Sequence, residues 1–432
     1  MGVGGWVIIV DNGDAFSTTI MGEREYGGMR PFGAVLAFEQ AQKVMHEAAR
    51  PVAGRDSVPL GRAAGRVLAD DIPAPFDVPG FDRSAMDGYA VRAGDLAAAA
   101  PTTPVWLDLA GHARPGSVAS GAVGVGACID IATGASLPRG ADAVVMVERT
   151  RREGERVRFT QPATAGDHVS RRGNDVMTGA VVLRAGDVLT PARLGVAASF
   201  GLQAVQVRRK PVVALMSSGD ELLDAATHGG APGAGQIYDA NRAMLAAVCE
   251  ASGADVQALP LVRDTLDAWR AAFDAAAAAD LVVCSGGSSV GEQDFGSDIL
   301  AERGEVLFHG IAVKPGKPTA FARLGRQCVL AMPGNPTSCL SNAYVLLRPL
   351  VRHLAGLPPL RPISIDATLT RALTSPLERL QFYPVRIDAG QAIPVFKGSG
   401  DVTSLSDADG YVEVPVGVAR VEAGSRVIVT LY

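Results

Sequence analysis

The chain has 432 residues, which at ordinary domain size is enough for about two to four domains. Hydrophobic residues make up 48% of it and charged residues 20%, so a disordered, collagen-like or coiled-coil chain is excluded. The 40 lysines and arginines nearly balance 45 aspartates and glutamates, and the net charge of −5 gives no general attraction for nucleic acid or an anionic membrane. Any anionic ligand must therefore be held by a local group of cations and backbone amides.

The N-terminal part begins with residues 1–31, which carry several glycines and little periodicity. They are predicted to be a disordered extension, or to precede a true start at Met29. Apolar residues at helical spacing then predict an amphipathic helix over 33–49 and a shorter one over 63–70. A third helix is predicted over 191–201, with a proline in its first turn.

The middle of the chain contains two regions with different hydrophobic patterns. Short β-branched runs separated by turn signals predict a small β-rich domain, with strands at 105–109, 126–131, 143–147 and 157–160. From residue 211, apolar strands alternate with amphipathic helices: strands at 212–216, 256–262, 281–284, 320–321 and 328–332, helices at 240–252, 266–279, 295–303 and 337–354. This alternation predicts a parallel sheet covered by helices on both faces. Ligands of such sheets bind at the carboxyl ends of the strands.

The last 70 or so residues follow a linker at 357–362 and alternate with period two, which predicts a small β-barrel or sandwich. The predicted organisation is an extension (1–31), a segmented helical part (32–76 and 166–207), an inserted β-rich domain (77–165), an α/β domain (208–356) and a C-terminal β domain (361–432).

The five cysteines are scattered and form no C-x-x-C pair, which argues against a disulfide framework or a zinc site and favours a reducing cytoplasm. No apolar run approaches the roughly 20 residues that span a bilayer. The apolar segment 7–10 is too short for the core of a signal peptide. A cytoplasmic location is expected.

Four glycine-rich loops follow predicted strands of the α/β domain: SSGDEL (217–222), SGGSSVGEQD (285–294), KPGKP (314–318) and PGNPTS (333–338). Glycine lets backbone N–H groups approach an anion closely, and a following helix N-terminus adds its dipole. Asn335 and Thr337 could cap the helix that follows the last loop. Each loop alone could be an ordinary turn, but four at the strand ends of one sheet favour a shared anion site. No P-loop and no strand-led G-x-G-x-x-G is present, so ordinary NTPase and dinucleotide-binding functions lose support.

Charged residues occur on and near these loops. Lys314 and Lys317 flank a Pro-Gly turn, and the neighbouring prolines make the loop rigid, although a solvated lysine pair is the alternative. Glu221, Asp264 and Asp294 follow strands, where carboxylates could instead cap helices. Should these groups converge, they would form a site for a phosphate ester and Mg²⁺, whose ligands are carboxylates, waters and phosphates.

Three polar, turn-rich segments lie outside the α/β domain: PGFDRSAMDGYAV (79–91), IATGASLPRGADAVVMVE (131–148) and RRGNDV (171–176). Their residue types alone place them in loops and leave their contacts undecided. Together with QIYDANR (236–242) and the four glycine-rich loops, they occur in the order seen in molybdopterin molybdenumtransferases. The chain thus resembles the MoeA family, which includes the E domain of gephyrin, from about residue 32 to residue 432.

The resemblance implies an α/β multidomain protein, in which a doubly wound molybdopterin-binding α/β domain is joined by an inserted β-rich domain, a segmented helical part and a C-terminal β-barrel. It implies an elongated homodimer and a transferase that inserts molybdate into adenylylated molybdopterin. Release of AMP would depend on Mg²⁺. The site would lie between the α/β domain of one subunit and the inserted domain of the other.

The resemblance also implies residue roles. The catalytic residues would be Asp87, Thr133, Asp175, Glu221 and Asp294. Substrate or anion binding would involve Ser218, Gly219, Asp264, Ser285, Gly286, Gly287, Lys314, Lys317, Pro333, Gly334, Asn335 and Ser399, with Ser404 a competitor for the last position. Asp294 and Glu221 would hold Mg²⁺.

Two other functions remain open from the sequence. A related α/β domain performs the preceding adenylyltransferase step, although extra domains at both ends argue against it here. A non-catalytic molybdopterin-binding or scaffold protein is the second alternative, and the joint presence of Asp87, Glu221, Asp294, Lys314 and Lys317 argues against it. Molybdate and tungstate are not distinguished, because both are tetrahedral dianions of nearly equal size.

Overall fold

The computed structural model describes residues 35–117, 121–286 and 295–432. They form two compact units. Unit 1 contains the described residues up to Ser57, Gly65–Val67 and Gln206–Tyr432, and unit 2 contains Val58–Ala64 and Leu68–Val205. The predicted extension lies outside the described residues. Within the described ranges, no helix is both long and apolar enough to cross a membrane.

Unit 2 is built on a mixed six-stranded sheet. Its strands lie in the order Ala143–Met146, Gly88–Val91, Ala127–Ile131, Val105–Ala113, Arg156–Phe159 and Thr150–Glu153. Side chains pack on both faces, because Tyr89 and Phe159 belong to one buried cluster whereas Ile129 and Ile131 belong to another. The four strands predicted here from β-branched runs are confirmed within a few residues at their ends.

The remainder of unit 2 consists of short elements. Thr190 is the N-cap of the helix Pro191–Ser199, and its hydroxyl accepts a hydrogen bond from the Arg193 N–H at 3.4 Å. Short antiparallel pairs join Arg83–Ser84 to Val169–Ser170 and Ile72–Pro73 to Val181–Leu183.

The helix predicted over 63–70 is wrong. A single 3₁₀ turn, Leu60–Arg62, precedes the segment. Gly65 has φ +75°, a left-handed conformation that interrupts a right-handed helix. The Leu68 N–H donates to the Asp187 carbonyl at 2.8 Å, rather than to a residue four positions earlier. Long-range backbone pairing therefore replaces the local helix that the composition suggested.

The α/β domain of unit 1 has a mixed six-stranded sheet. Its order is Asp255–Ala258, Val212–Ser217, Leu281–Ser285, Gln327–Met332, Ala320–Leu324 and Glu305–His309. The first four strands are parallel, and Ala320–Leu324 is antiparallel to both its neighbours. The prediction of a parallel sheet is therefore confirmed for these four strands and wrong at this edge. Leu324 pairs with Gln327 across a two-residue turn, and such a short connection can join only antiparallel strands.

Helices cover both faces of this sheet, as predicted. Phe38, Leu245 and Leu350 pack on one face, and Trp269 and Phe273 on the other. The helices are Phe38–Ala48, Ala240–Ala251, Leu266–Ala275, Phe295–Arg303 and a continuous run made of Pro336–Asn342, the π-helical Ala343–Leu347 and Arg348–Leu354. The α/β multidomain fold class is thereby confirmed.

The C-terminal part of unit 1 is a closed five-stranded barrel. The ring runs through Leu380–Asp388, Gln391–Pro394, Ser364–Leu369, Arg426–Leu431 and Gly410–Val414, and back to the first strand. Buried apolar residues such as Val385 and Val429 fill it. The short strand Val313–Lys314 extends the sheet by pairing in parallel with Leu380–Asp388, so that the α/β domain and the barrel share backbone hydrogen bonds.

Three further pairs of short strands lie in the described residues. They are Leu373–Thr374 with Arg420–Val421, Leu222–Leu223 with Ile237–Tyr238, and Arg55–Pro59 with Ala204–Arg208.

Candidate functional site

A cavity of about 940 Å³ lies in unit 1 where the carboxyl ends of the central parallel strands meet loops of the barrel. Such a volume is in the range of small-molecule sites. Among the residues predicted for the site, those that line the cavity are Ser218, Glu221, Ser285, Gly286, Lys314, Lys317, Pro333, Gly334, Asn335 and Ser399.

The cations of the cavity are Lys314, Lys317 and Arg379. The backbone of Lys314 is held in a short strand, because Val313 and Lys314 pair with Leu380 and Gln381 of the barrel. The same pairing places Arg379, which immediately precedes Leu380, at the cavity wall. Three cations around one space favour binding of an anionic group.

The ends of two neighbouring strands approach each other closely at the cavity. The Ser218 N–H donates to the Ser285 carbonyl at 3.0 Å, and the Ser217 and Ser285 hydroxyls lie 3.2 Å apart. Gly286 has φ +88°, and a Cβ atom there would lie 2.4 Å from the Ser218 carbonyl oxygen. Only glycine fits this position. The Ser218 hydroxyl is buried and has no hydrogen-bond partner among the described residues.

The PGNPTS loop contacts the barrel instead of capping its own helix. Asn335 makes no side-chain cap, and its Nδ2 donates to the Ser399 hydroxyl at 3.3 Å. The Thr337 N–H donates to the Ser399 carbonyl at 3.1 Å, and the Thr337 hydroxyl donates to the Asp401 carbonyl. The prediction that Asn335 and Thr337 cap this helix is wrong. These groups instead hold the loop that carries Ser399 against the α/β domain.

Carboxylates gather beside the SSGDEL loop. Burial raises the pKa of Asp264, and the negative charges of Asp220 and Glu221 raise it further. The Asp264 N–H faces the Asp220 carboxylate at 3.5 Å. Asp264 does not cap the following helix, because the Thr265 hydroxyl accepts the bond from the Ala268 N–H. The Glu221 carboxylate lies close to Gly219, where a Cβ atom would be 2.6 Å from one of its oxygens.

In unit 2, the predicted residues Asp87 and Thr133 are joined by a hydrogen bond. Asp87 Oδ1 accepts the Thr133 N–H at 2.7 Å, while the Asp87 carbonyl accepts the Val147 N–H. Gly88 follows as the first residue of a strand, and a Cβ atom there would lie 2.0 Å from the Val145 carbonyl. The Asp87 carboxylate therefore fixes the start of the loop that contains Thr133.

The third predicted residue of unit 2, Asp175, lies in a group of ion pairs. Its carboxylate is 3.5 Å from Arg83, and Arg171 contacts Asp82 at 2.7 Å. Asp77 accepts hydrogen bonds from the Thr178 hydroxyl and N–H and from Arg172. These bonds, those of Thr178 first, lower the pKa of Asp77 to about 2. The predicted residues Asp294 and Gly287 lie outside the described residues.

Family models match three consecutive stretches of the chain. They describe the "MoeA N-terminal region (domain I and II)" over residues 36–201, a "probable molybdopterin binding domain" over 214–353 and the "MoeA C-terminal region (domain IV)" over 366–432. "Molybdopterin molybdenumtransferase 2" of Mycobacterium tuberculosis is 38% identical over 402 residues, covering 90% of this chain and 97% of its own. The chain belongs to the MoeA family.

A second relative and a solved structure support the same family assignment. The molybdopterin molybdenumtransferase of Haemophilus influenzae is 38% identical over 352 residues, covering 81% of this chain and 85% of its own. The crystal structure of a molybdopterin biosynthesis MoeA protein from Pyrococcus horikoshii superimposes with a TM-score of 0.79 at 36% identity, covering 92% of this chain and 99% of that one. The family resemblance inferred from the sequence motifs is confirmed.

Sequence reasoning missed three residues of this MoeA chain that line or adjoin the cavity. Arg379 has no local signal, because the barrel strand that places it beside Lys314 is distant in sequence. Asp220 was overlooked within SSGDEL. Asn241 belongs to the QIYDANR motif; it is 8% exposed, and its Nδ2 donates to the Gly334 carbonyl at 2.8 Å. Its position in the first turn of a helix that follows a short strand was the available signal.

Proposed function

We propose that this chain inserts molybdate into adenylylated molybdopterin and releases AMP, giving molybdenum cofactor. The observation that carries the proposal is the cavity of about 940 Å³, in which Lys314, Lys317 and Arg379 surround the glycine-rich strand ends. The cavity lies in the stretch that matches a molybdopterin-binding domain, together with loops of the barrel. The named activity of the relatives supports the reaction class, which is a transferase.

The residue types suit both anionic substrates. Molybdate is a tetrahedral dianion, and lysine, arginine and backbone N–H groups form charge-assisted hydrogen bonds to such oxygens. Cleavage of a phosphoanhydride develops charge on oxygen, which preorganised cations stabilise without a protein nucleophile. The dithiolene of the pterin would supply sulfur to molybdenum. All five cysteines are buried, and burial raises the pKa of Cys128 and Cys249 to about 12, so these thiols are poor metal ligands.

The carboxylates beside the cavity are compatible with Mg²⁺. In the described part of the chain, no three histidine, cysteine or acidic side chains form a ready metal cage. Mg²⁺ does not need one, because one or two carboxylates with water and substrate phosphates usually hold it. Glu221, which lines the cavity, is the first candidate ligand for Mg²⁺, and Asp294 is the second. Bound Mg²⁺ would neutralise charge on the phosphate oxygens. Because burial and neighbouring negative charges raise the pKa of Asp264, a cation at this place would relieve the repulsion.

We also propose a homodimer in which Asp87, Thr133 and Asp175 of one subunit serve the cavity of the other. Support comes from the family resemblance and from unit 2, where Phe81 is 50% exposed and Met86 is 42% exposed beside Asp87. Aromatic side chains and methionine are enriched in contact surfaces between proteins.

Differently tagged Asp87→Ala and Asp294→Asn subunits test this arrangement when they are coexpressed and the heterodimer is purified. Each homodimer is expected to be nearly inactive. The heterodimer has one doubly altered site and one intact site, so about half of the wild-type AMP release should return. Activity no higher than in either homodimer would contradict the shared site.

The reaction itself is tested by incubating the purified protein with adenylylated molybdopterin, Mg²⁺ and molybdate. AMP and molybdenum-loaded pterin should appear in equal amounts, with no requirement for ATP. In a parallel reaction with ATP and molybdopterin that is not adenylylated, consumption of ATP with release of diphosphate would instead identify the adenylyltransferase step. Tight binding of the pterin without any AMP would identify a scaffold protein. Replacing molybdate by tungstate in the same assay compares the two anions.

A further inference from the structure

The ammonium groups of Lys314 and Lys317 are attached to one short loop, so the backbone of that loop decides where they lie. Gly316 stands at its centre with φ +103°. Its carbonyl accepts two side-chain hydrogen bonds, both from buried residues. The residues that supply these bonds are candidates for controlling the geometry of the anion site.

Asn342 and Thr319 supply them. Asn342 Nδ2 donates to the Gly316 carbonyl at 2.9 Å and to the Thr319 hydroxyl at 2.7 Å, and the Thr319 hydroxyl donates to the Gly316 carbonyl at 2.9 Å. Asn342 and Thr319 are both 0% exposed. In this buried triangle each bond is shielded from water, and losing one leaves a polar group unsatisfied.

The contact between Gly316 and Asn342 is also sterically close. A Cβ atom at position 316 would lie 2.3 Å from Asn342 Nδ2. The backbone of the loop is therefore in direct contact with the Asn342 amide. This side chain sets the distance between the loop and the helix that carries Asn342. The backbone that follows Gly316 is held as well, since the Ile311 and Thr319 N–H groups both donate to the Lys317 carbonyl at 3.0 and 2.9 Å.

Asn342 connects this loop to a second wall of the cavity. It is the last residue of the helical segment Pro336–Asn342, which begins at the PGNPTS loop, and the π-helical segment Ala343–Leu347 follows it directly. Single π-helical turns occur often at functional sites. One buried amide thus joins the KPGKP loop to the helix that follows the PGNPTS loop.

We propose that Asn342 and Thr319 are positioning residues that hold the KPGKP loop so that both lysines face one bound anion. The inference rests on the proposed function of the cavity. Neither residue lines the cavity, so their effect on a ligand passes through the Gly316 carbonyl. A role limited to filling space predicts that shape matters at position 319, whereas a positioning role predicts that the hydroxyl matters.

Two substitutions at position 319 separate these roles. Thr319→Val keeps the shape and removes the hydroxyl, and Thr319→Ser keeps the hydroxyl and removes a methyl group. Sodium molybdate is titrated into each full-length variant by calorimetry at low salt, and the melting temperature is measured in parallel. Asn342→Asp, which keeps the shape but replaces the donor amide, is the second test. Ser341→Ala, which removes a buried hydroxyl from the same helix, is the matched control.

Thr319→Val removes both hydrogen bonds of the Thr319 hydroxyl. It is expected to weaken molybdate binding about tenfold, which corresponds to about 1.4 kcal/mol. Asn342→Asp should weaken it at least as much. Thr319→Ser and Ser341→Ala should stay within about twofold of wild type. Wild-type affinity in folded Thr319→Val, or a larger loss in Thr319→Ser than in Thr319→Val, would overturn the inference. Absence of molybdate binding by the wild type would instead overturn the proposed function.

Discussion

Replacing Gly286 by alanine tests the geometry of the strand ends. The left-handed backbone at φ +88° costs an alanine about 1–2 kcal/mol. The new Cβ would also lie 2.4 Å from the Ser218 carbonyl oxygen, about 1 Å closer than the 3.4 Å at which ordinary contact begins. The Cβ position is fixed by its own backbone and the oxygen is a backbone atom, so neither can rotate away. The two loops must therefore separate, and the 3.0 Å bond from the Ser218 N–H to the Ser285 carbonyl is lost.

A lost hydrogen bond adds about 1 kcal/mol, so the free energy of unfolding should fall by about 2–3 kcal/mol in total. Urea denaturation measures this loss, and calorimetry with molybdate measures the accompanying loss of affinity. Gly325→Ala is the matched control: its φ is +62°, it lies in a turn of the same sheet, and a Cβ atom there meets nothing within 4 Å. That variant should lose only about 1–2 kcal/mol and bind molybdate normally.

Equal losses of stability in Gly286→Ala and Gly325→Ala, with unchanged molybdate affinity in both, would refute the close approach of the strand ends and its role in the cavity.

Three further predictions concern charge. Lys317→Ala should weaken binding of molybdate at low salt, and the difference from wild type should shrink as salt screens the ammonium group; Lys210→Ala, which removes a lysine paired with Asp255 at 3.1 Å, is the control and should bind normally. Asp294→Asn should lower AMP release about 10²–10³-fold while the melting temperature is kept, and near-normal turnover would contradict its role. Because the pKa of Asp77 is lowered from 3.8 to about 2, its carboxylate stabilises the fold above about pH 4, and this contribution is lost as the pH falls towards 2. Wild type should therefore be more stable than Asp77→Asn at pH 7 and lose that advantage between pH 4 and 2, and a pH-independent difference would exclude this linkage.

The sequence predicts the parts of the site that depend on local pattern. Apolar runs identify the central strands of the α/β domain, and glycines after those runs identify the loops at their carboxyl ends. Because parallel strands end at the same edge, the pattern alone predicts that residues as distant as Ser218, Gly286 and Gly334 lie together. They do line one cavity.

The parts that depend on long-range pairing could not be predicted. Arg379 reaches the cavity only because a barrel strand pairs with Val313–Lys314. The segment 63–70 has the composition of a helix, but Gly65 and the distant backbone partner of Leu68 decide otherwise. The strand Glu305–His309 was missed because it is a short edge strand in which only Phe308 is fully buried, so it lacks a clear apolar pattern.

The central claim is that the cavity of unit 1 binds the molybdenum-bearing anion. The most direct measurement is an anomalous difference map at the molybdenum absorption edge, from crystals of the protein grown with molybdate. The account predicts a molybdenum peak inside the cavity, within hydrogen-bond distance of Lys314, Lys317 or Arg379. A well-occupied molybdenum site elsewhere, with none in the cavity, would contradict it.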